Sequence, residues 1–401
     1  MKILMLTPYL PFPPSSGGQV RSYNLIRILA KKHEITLFCL IKDEKERRFV
    51  KELEKYCKEV KVFNRPVKPW TFKNIIRTGF GKYPFLVIRN FSDEEKKVMK
   101  DELKSKKYDL IHAENFYVMP HIPETNVPIL LMEQTIFYKV YKHFSESLPW
   151  FLFFLKLPLF IDVAKLKFWE FYYWKKADIM AAVSEEDRNL IKKSVGRKNV
   201  VIVPNGVDFL RFSKKLYKKE DKPTILFGVA DFHWMQNKEG VVNLINEVWP
   251  AVKEQVKDAK LWIVGKIAPK ALSEFCQLED VVIREIGDNR KAYQKAWVLV
   301  APIRSGGGSR TKFFEAMASG LPILTTSEGI EGIPAKAGED VLVENDFSKL
   351  AEKAITLLTE EKYRQKISNS ARIFVKENYD WQESAKKLDK LYKEALNGKK
   401  N

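Results

Sequence analysis

The chain has 401 residues, with 70 Lys and Arg against 51 Asp and Glu, giving a formal net charge of +19. Apolar side chains make up 45% of it and charged ones 30%. This excludes disordered, collagenous and disulfide-stapled miniprotein classes and points to two domains instead of one. Cys39, Cys57 and Cys276 lie far apart, without a paired metal-binding spacing, so they read as small apolar side chains in a reducing compartment.

The opening MKILMLTPYLPFPPSSGG reads as a buried strand over Lys2–Thr7 running into a Pro- and Gly-rich loop. It carries no cleavage pattern of a signal peptide. A helix is expected over 19–32, then strands over 34–40 and 60–63, a helix over 91–104, and strands over 109–112, 129–132, 179–183 and 200–203. The second half repeats the scheme. Strands are expected over 224–229, 260–264, 281–285, 298–301, 322–325 and 340–343. Helices are expected over 238–254, 290–295, 311–319, 347–358 and 381–396. Short apolar runs alternating with amphipathic stretches predict an α/β protein of two doubly wound, Rossmann-like domains with parallel sheets facing a central cleft.

The turn formers of VPNGVD, residues 203–208, place the boundary. Domains of 1–205 and 206–375 follow, with a C-terminal helix in 376–401 packing back on the first domain. The charged stretch 212–222 reads as linker, and the tail beyond Asn397 should fray. His33 reads as a surface helix end. In such sheets, ligands sit outside the carboxyl ends of the strands.

The longest apolar segment, LPWFLFFLKLPLFI at 148–161, is broken by Lys156 and Pro158 and is too short to span a bilayer. A cytoplasmic protein without a transmembrane helix is expected. From 148 to 176, bulky aromatics interleave with Lys156, Lys165, Lys167, Lys175 and Lys176, and 69–85 has similar character. That pattern suits the interface of an anionic membrane, with core helices and snorkelling lysines as the alternative.

The most informative stretch is PIRSGGGSRTKFFEAMASGLPILTT, residues 302–326. A strand ends at Pro302, three glycines follow, and a helix begins near Arg310. Glycines before a helix N-terminus let backbone N–H groups crowd a phosphate, and the helix dipole adds partial positive charge. Arg310 and Lys312 can neutralise a diphosphate there, and the Glu315 carboxylate can accept from a ribose diol. A glycine turn beside two solvated cations is the bland alternative.

This stretch, with SEGIEGI after it, resembles the donor-site signature of retaining glycosyltransferases of the GT-B fold, glycosyltransferase family 4 in particular. TPYLPFPPSSGGQVR near the start, ADIMAAVSEED and VPNGVD before the boundary, and FGVADFHWMQN and LWIVG beyond it carry the likeness along most of the chain. The resemblance implies a nucleoside-diphosphate sugar as donor substrate; with no Asp-x-Asp motif, no metal and no other cofactor is expected, and the basic aromatic stretches point to a glycan or lipid-linked acceptor at the inner membrane face. It implies donor contacts at Gly17, Gly18, Asn237, Ile286, Gly287, Gly307, Gly308, Ser309, Arg310, Lys312 and Glu315. It also implies a catalytic role for His112, facing the transferred sugar, while the charges of Arg310 and Lys312 give them catalytic roles on the leaving phosphate. Glu133, at a strand end, is read as touching acceptor or as capping the following segment.

Two departures stand out. The first of two glutamates common in relatives falls on Gly307, and the Arg and Lys usual after the first strand of the second domain are missing from 228–237. Arg310 and Lys312 are expected to replace those cations. A sugar-nucleotide epimerase on the same fold, a basic nucleic-acid binder and a catalytically inactive scaffold remain as rival readings. The spread of the cations and the lack of a nucleic-acid-binding motif speak against the second.

Overall fold

The computed structural model describes residues 1–66, 71–147, 153–196, 199–232, 235–304 and 311–397. The chain forms two compact units. One comprises Met1–Pro204 together with the final segment from Ser384, and the other comprises Asn205–Glu383.

The first unit is built on seven strands, β1 (Lys2–Thr7), β2 (Glu34–Ile41), β3 (Glu59–Asn64), β4 (Leu110–Glu114), β5 (Ile129–Glu133), β6 (Ile179–Ala182) and β7 (Val200–Ile202). Their order is 3-2-1-4-5-6-7 and every pairing is parallel. Helices cover both faces, so central strands such as β4 and β5 are buried along their whole length. The strand order reverses between β1 and β4, and in doubly wound sheets ligands bind at the carboxyl ends of the strands at such a reversal. Helix α1 (Gly17–Leu29) starts behind β1 and is capped by the Ser16 side chain. Further helices are α2 (Phe72–Phe80), α3 (Asp93–Ser105), α4 (Phe137–Ser147) and α5 (Phe153–Lys176).

From Ser384 onward, the C-terminal helix (Trp381–Asn397) belongs to this unit. The Ser384 hydroxyl donates to the Pro204 carbonyl at 3.0 Å, and His33 meets Asp389 at 2.8 Å. His33 is therefore buried under this helix and is not a surface helix end. The signal was absent from the local sequence because its cover comes from the far end of the chain. Burial pulls the His33 imidazole below its usual value, and Asp389 opposes that shift.

The second unit has six strands, β8 (Thr224–Asp231), β9 (Lys260–Lys266), β10 (Val281–Arg284), β11 (Val298–Ala301), β12 (Ile323–Thr325) and β13 (Leu342–Val343). They are ordered 10-9-8-11-12-13, again all parallel, with the reversal between β8 and β11. Both units thus have the doubly wound, Rossmann-like architecture expected from the alternating pattern. The helices used below are α6 (Met235–Asn243), α7 (Asn289–Lys295), α8 (Thr311–Ala318), α9 (Phe347–Thr359) and α10 (Glu361–Tyr379).

The expected helix over 238–254 is not continuous. After α6, a π turn spans Leu244–Val248 and a new α segment runs from Trp249 to Gln255 with Pro250 in its first turn. Proline has no N–H and its ring collides with the carbonyl four residues back, and the wider turn removes that clash. Just past the end of α8 stands Gly320, whose φ of +76° belongs to the left-handed region where glycine is favoured. The Leu321 N–H then donates back to Ala316 at 2.9 Å.

The stretch 212–222 is not a free linker. Phe209 and Phe212 are buried in the core of the second unit. Gln294 accepts from the N–H groups of Leu216 and Tyr217 at 2.9 and 3.2 Å, and Lys295 pairs with Glu220 at 2.6 Å. Charged composition alone hid this strap, because its anchors are one buried glutamine and backbone groups. The tail beyond Asn397 lies outside the described residues. Among the described residues, no helix is long and apolar enough to cross a membrane.

Candidate functional site

Each unit carries a polar constellation at the carboxyl ends of its switch-point strands. In the second unit, α8 follows β11 and brings Lys312 and Glu315 into play. The Lys312 ammonium lies 3.3 Å from Asn237 Oδ1 and 5.4 Å from the centre of the Phe227 ring. Asn237 is held in turn by donating to the Asp231 carbonyl at 2.9 Å, at the end of β8. A cation is thus fixed beside the helix N-terminus, where the dipole already favours an anion. Gly307, Gly308, Ser309 and Arg310 lie outside the described residues.

One turn into α8, Glu315 accepts from the Tyr293 hydroxyl at 3.0 Å and from Asn289 Nδ2 at 3.4 Å. Burial pushes its carboxyl up to about 7, against these two donors and a more distant Arg211. Ile286 packs on the core of this unit, and a side chain added at Gly287 would meet only open space. Asp288 next to it caps α7 and clamps Arg290 at 2.8 Å.

In the first unit, Gly17 and Gly18 open α1. A Cβ at Gly18 would stand 2.5 Å from the Tyr9 hydroxyl and 3.0 Å from Gln134 Oε1, so glycine permits that close approach. Tyr9 in turn meets Ser22 at 3.2 Å and accepts from Gln134 Nε2 at 3.1 Å. Gln134 also donates to Glu114, the last residue of β4. Beyond it, Asn115 adopts φ +69° and is steadied by its Oδ1, which accepts from the Gln134 N–H at 3.1 Å.

His112 lies at the centre of β4, not at its end, and is fully buried. Its Nδ1 is 2.6 Å from the Tyr392 hydroxyl of the C-terminal helix, and its Nε2 is 3.3 Å from Glu114. The pattern that suits both contacts has Nε2–H directed at the carboxylate and the tyrosine hydroxyl donating to Nδ1. Arg21, also fully buried, donates to the Pro204 carbonyl at 2.9 Å. Burial alone would raise the Glu114 carboxyl, but His112, Arg21 and Gln134 together hold it below the ordinary range.

Glu133 ends β5 and is fully buried, accepting from Trp174 Nε1 at 2.9 Å. The capping of the segment after β5 falls to Glu170, which accepts from the N–H groups of Phe137 and Tyr138 at 2.7 and 2.9 Å. Burial first, and the neighbouring Glu170 second, pushes Glu133 well above the carboxylate range, and burial raises Glu170 to about 8 against the Tyr138 and Phe137 N–H donors.

Sequence reasoning passed over Tyr9, Arg21, Glu114 and Gln134 in the first unit and Asn289 and Tyr293 in the second. Glu114 did leave a trace, since an ionisable residue ending the apolar run LIHAE sits at the switch point. The other residues are drawn in by tertiary contacts. Among the described residues, no group of three or more His, Cys, Asp or Glu side chains is placed to hold a metal ion.

Two family models match the chain, Glycosyltransferase Family 4 over residues 15–211 and Glycosyl transferases group 1 over residues 222–360. A protein of the cps region of Klebsiella pneumoniae is 24% identical, covering 98% of this chain and 99% of its own. An uncharacterised glycosyltransferase of Methanocaldococcus jannaschii is also 24% identical, covering 60% of this chain and 64% of its own. Among solved structures, sucrose-phosphate synthase from Thermosynechococcus elongatus superposes with a TM-score of 0.66 at 16% identity, covering 99% and 100% of the two chains. Anabaena HepE in complex with UDP-glucose superposes at 0.60 and 14% identity, covering 98% and 100%. Two parallel α/β units, matched one after the other by glycosyltransferase models, define a transferase of the GT-B fold. The chain is a GT-B glycosyltransferase.

Proposed function

We propose that the chain transfers a hexose from a nucleoside-diphosphate sugar to a glycan or lipid-linked acceptor at the cytoplasmic face of a membrane, with retention at the anomeric carbon. The observation that carries this reading is the cation at the head of α8, Lys312 on Asn237, with the Glu315 carboxyl one turn behind it. Breaking the sugar–diphosphate bond builds negative charge on the leaving phosphate and positive charge on the ring. Lys312, Arg310 and backbone amides of 307–309 stabilise the first, in place of a divalent ion. Glu315 accepts from the ribose diol, and Asn237, Ile286 and Gly287 line the nucleotide side. In the first unit, Gly17, with open space beside it, and the neighbouring Gly18, which packs on Tyr9 and Gln134, offer backbone contacts to the donor. His112 and Glu133, both fully buried, act on the sugar side and the acceptor side as positioning residues, through Glu114 and Trp174 respectively, and not by touching substrate. HepE binds UDP-glucose, and the Klebsiella relative is encoded in a cps region, which support a nucleotide-sugar donor and a surface glycan as product.

Thermal shift against a panel of sugar nucleotides tests the donor, because a ligand that binds only the folded state raises its stability. Lys312→Ala and Arg310→Ala should each cost at least about tenfold in kcat/KM for the donor, or ~1.4 kcal/mol. Unchanged kinetics in both variants refutes the diphosphate assignment. A neighbour from Listeria monocytogenes titled putative UDP-N-acetylglucosamine 2-epimerase keeps epimerisation as the second reading. Product formed from the sugar nucleotide alone supports that reading. Acceptor-dependent release of nucleotide supports transfer.

A further inference from the structure

Three helices of the first unit turn apolar faces away from the core. In α2, Phe72, Ile76 and Phe80 follow one another at four-residue steps with Ile75 beside them, and all four are exposed, Phe80 to 93%. The opposite side of α2 carries Asn74, which is buried. In α5, the inward face holds Asp162, Leu166, Glu170 and Trp174, whereas Leu157, Ile161, Phe168 and Tyr172 form an exposed stripe at helical spacing. In α4, Val140 and Phe144 are half exposed. Eleven of the fifteen large apolar side chains exposed among the described residues lie on these helices, so the exposure is concentrated and not the usual scatter.

The arrangement is held by polar bonds that fix the outward pose. Lys165 of α5 donates to the carbonyls of Thr78, Gly79 and Gly81 at 2.6, 3.2 and 2.8 Å, which closes the C-terminal end of α2. Trp169 Nε1 donates to Lys82 O at 2.7 Å, and Asp162 accepts from the Phe85 N–H at 2.8 Å. Glu170 caps the start of α4. Helices pinned in this way present their apolar faces as a rigid surface.

The charges around that surface select its occupant. Arg77, Lys139, Lys142, Lys167, Lys175 and Lys176 are exposed on the same helices, while Asp162 and Glu170 are buried. Among the described residues of these helices, the one exposed carboxylate is Glu146. A second copy would set this cationic rim against itself across a two-fold axis, which repels. Aromatic and aliphatic side chains beside lysines fit instead the boundary between acyl chains and anionic headgroups.

We propose that α2, α4 and α5 form the surface by which the protein docks on an anionic lipid bilayer. The surface rests on the membrane-facing part of the function proposed above and gives it a place in the fold. The full chain is sedimented with phosphatidylglycerol-containing vesicles and with phosphatidylcholine vesicles, and its mass is followed by light scattering. Phe80→Asp and Phe168→Asp are tested beside the wild type, with far-ultraviolet circular dichroism confirming that they fold, since both positions are exposed.

The expected result is recovery of the wild type with anionic vesicles, weakened by added salt, and at least about tenfold weaker binding of each variant. Equal recovery in the supernatant with and without anionic lipid overturns the proposal. So does wild-type binding that both variants retain, or a dimer that fails to bind vesicles. Thermal shift by sugar nucleotides without lipid reads the donor site separately, so a protein that binds donor but ignores vesicles sinks only the docking surface.

Discussion

Replacing Arg21 with leucine should destabilise the first unit by about 3–5 kcal/mol, the usual consequence of leaving a buried charge without its partner. For a unit of this size that corresponds to a melting point lower by roughly 10 °C. The guanidinium is fully buried, donates to the Pro204 carbonyl at 2.9 Å, and helps to hold the Glu114 carboxyl below its usual range. Without it, Glu114 is a buried carboxylate relying on His112 and Gln134. The pH dependence distinguishes this from lost packing. A depressed carboxyl contributes stability that is present above its unfolded value and is lost as pH falls through the folded one. The penalty of Arg21→Leu should therefore be largest at neutral pH and shrink as pH falls below about 4.5, the ordinary carboxyl value. The double variant Arg21→Leu/Glu114→Gln should recover more than half of the loss. A penalty that is the same at pH 7 and pH 4, with no recovery in the double variant, means that Arg21 acts through packing alone.

The same network marks the limit of what the chain discloses before it folds. Central strands were legible because a parallel strand covered on both faces must be an apolar run, as LIHAE and ILLME are. Lys312 and Glu315 could be placed near one another on one helix because three residues along a helix is a local spacing. Arg21 was not, since an arginine in an amphipathic helix reads as solvated until Pro204, far along the chain, comes to meet it. His112 was legible as a polar residue in a strand, but its partner Tyr392 lies 280 residues away. Helix α10 was passed over because its sequence, EKYRQKISNSARIFVKENY, is mostly polar and its apolar positions are sparse. Periodicity in 72–80 could reveal an amphipathic helix but not which way it faces, because a pattern says that one side is apolar and not that the apolar side is inside.

Glu315→Gln should separate stability from function in the second unit. The carboxyl is raised to about 7, mainly by burial, so the folded state holds its proton more tightly than the unfolded chain does. The stabilisation that this proton provides is complete below the ordinary value of about 4.5 and is lost as pH rises through about 7. At pH 8, the wild type carries an ionised carboxylate in a poorly solvated place, at a cost of about 3 kcal/mol. Glutamine has the same shape and can still accept from Tyr293 and Asn289, without that charge. The variant should therefore melt higher than the wild type at pH 8 and match it at pH 5. Donor binding should move the other way. An ionised carboxylate offers only acceptors to two ribose hydroxyls, whereas the glutamine amide places an NH2 donor among donors. Hydrogen bonds to a charged group contribute about 1.5–3 kcal/mol, so donor affinity should fall at least about tenfold. The wild type itself should bind donor more tightly as pH rises through about 7, and the variant should show no such rise. A variant that binds donor as the wild type does removes Glu315 from the ribose site. A melting point unchanged at both pH values removes the buried charge from the account of stability.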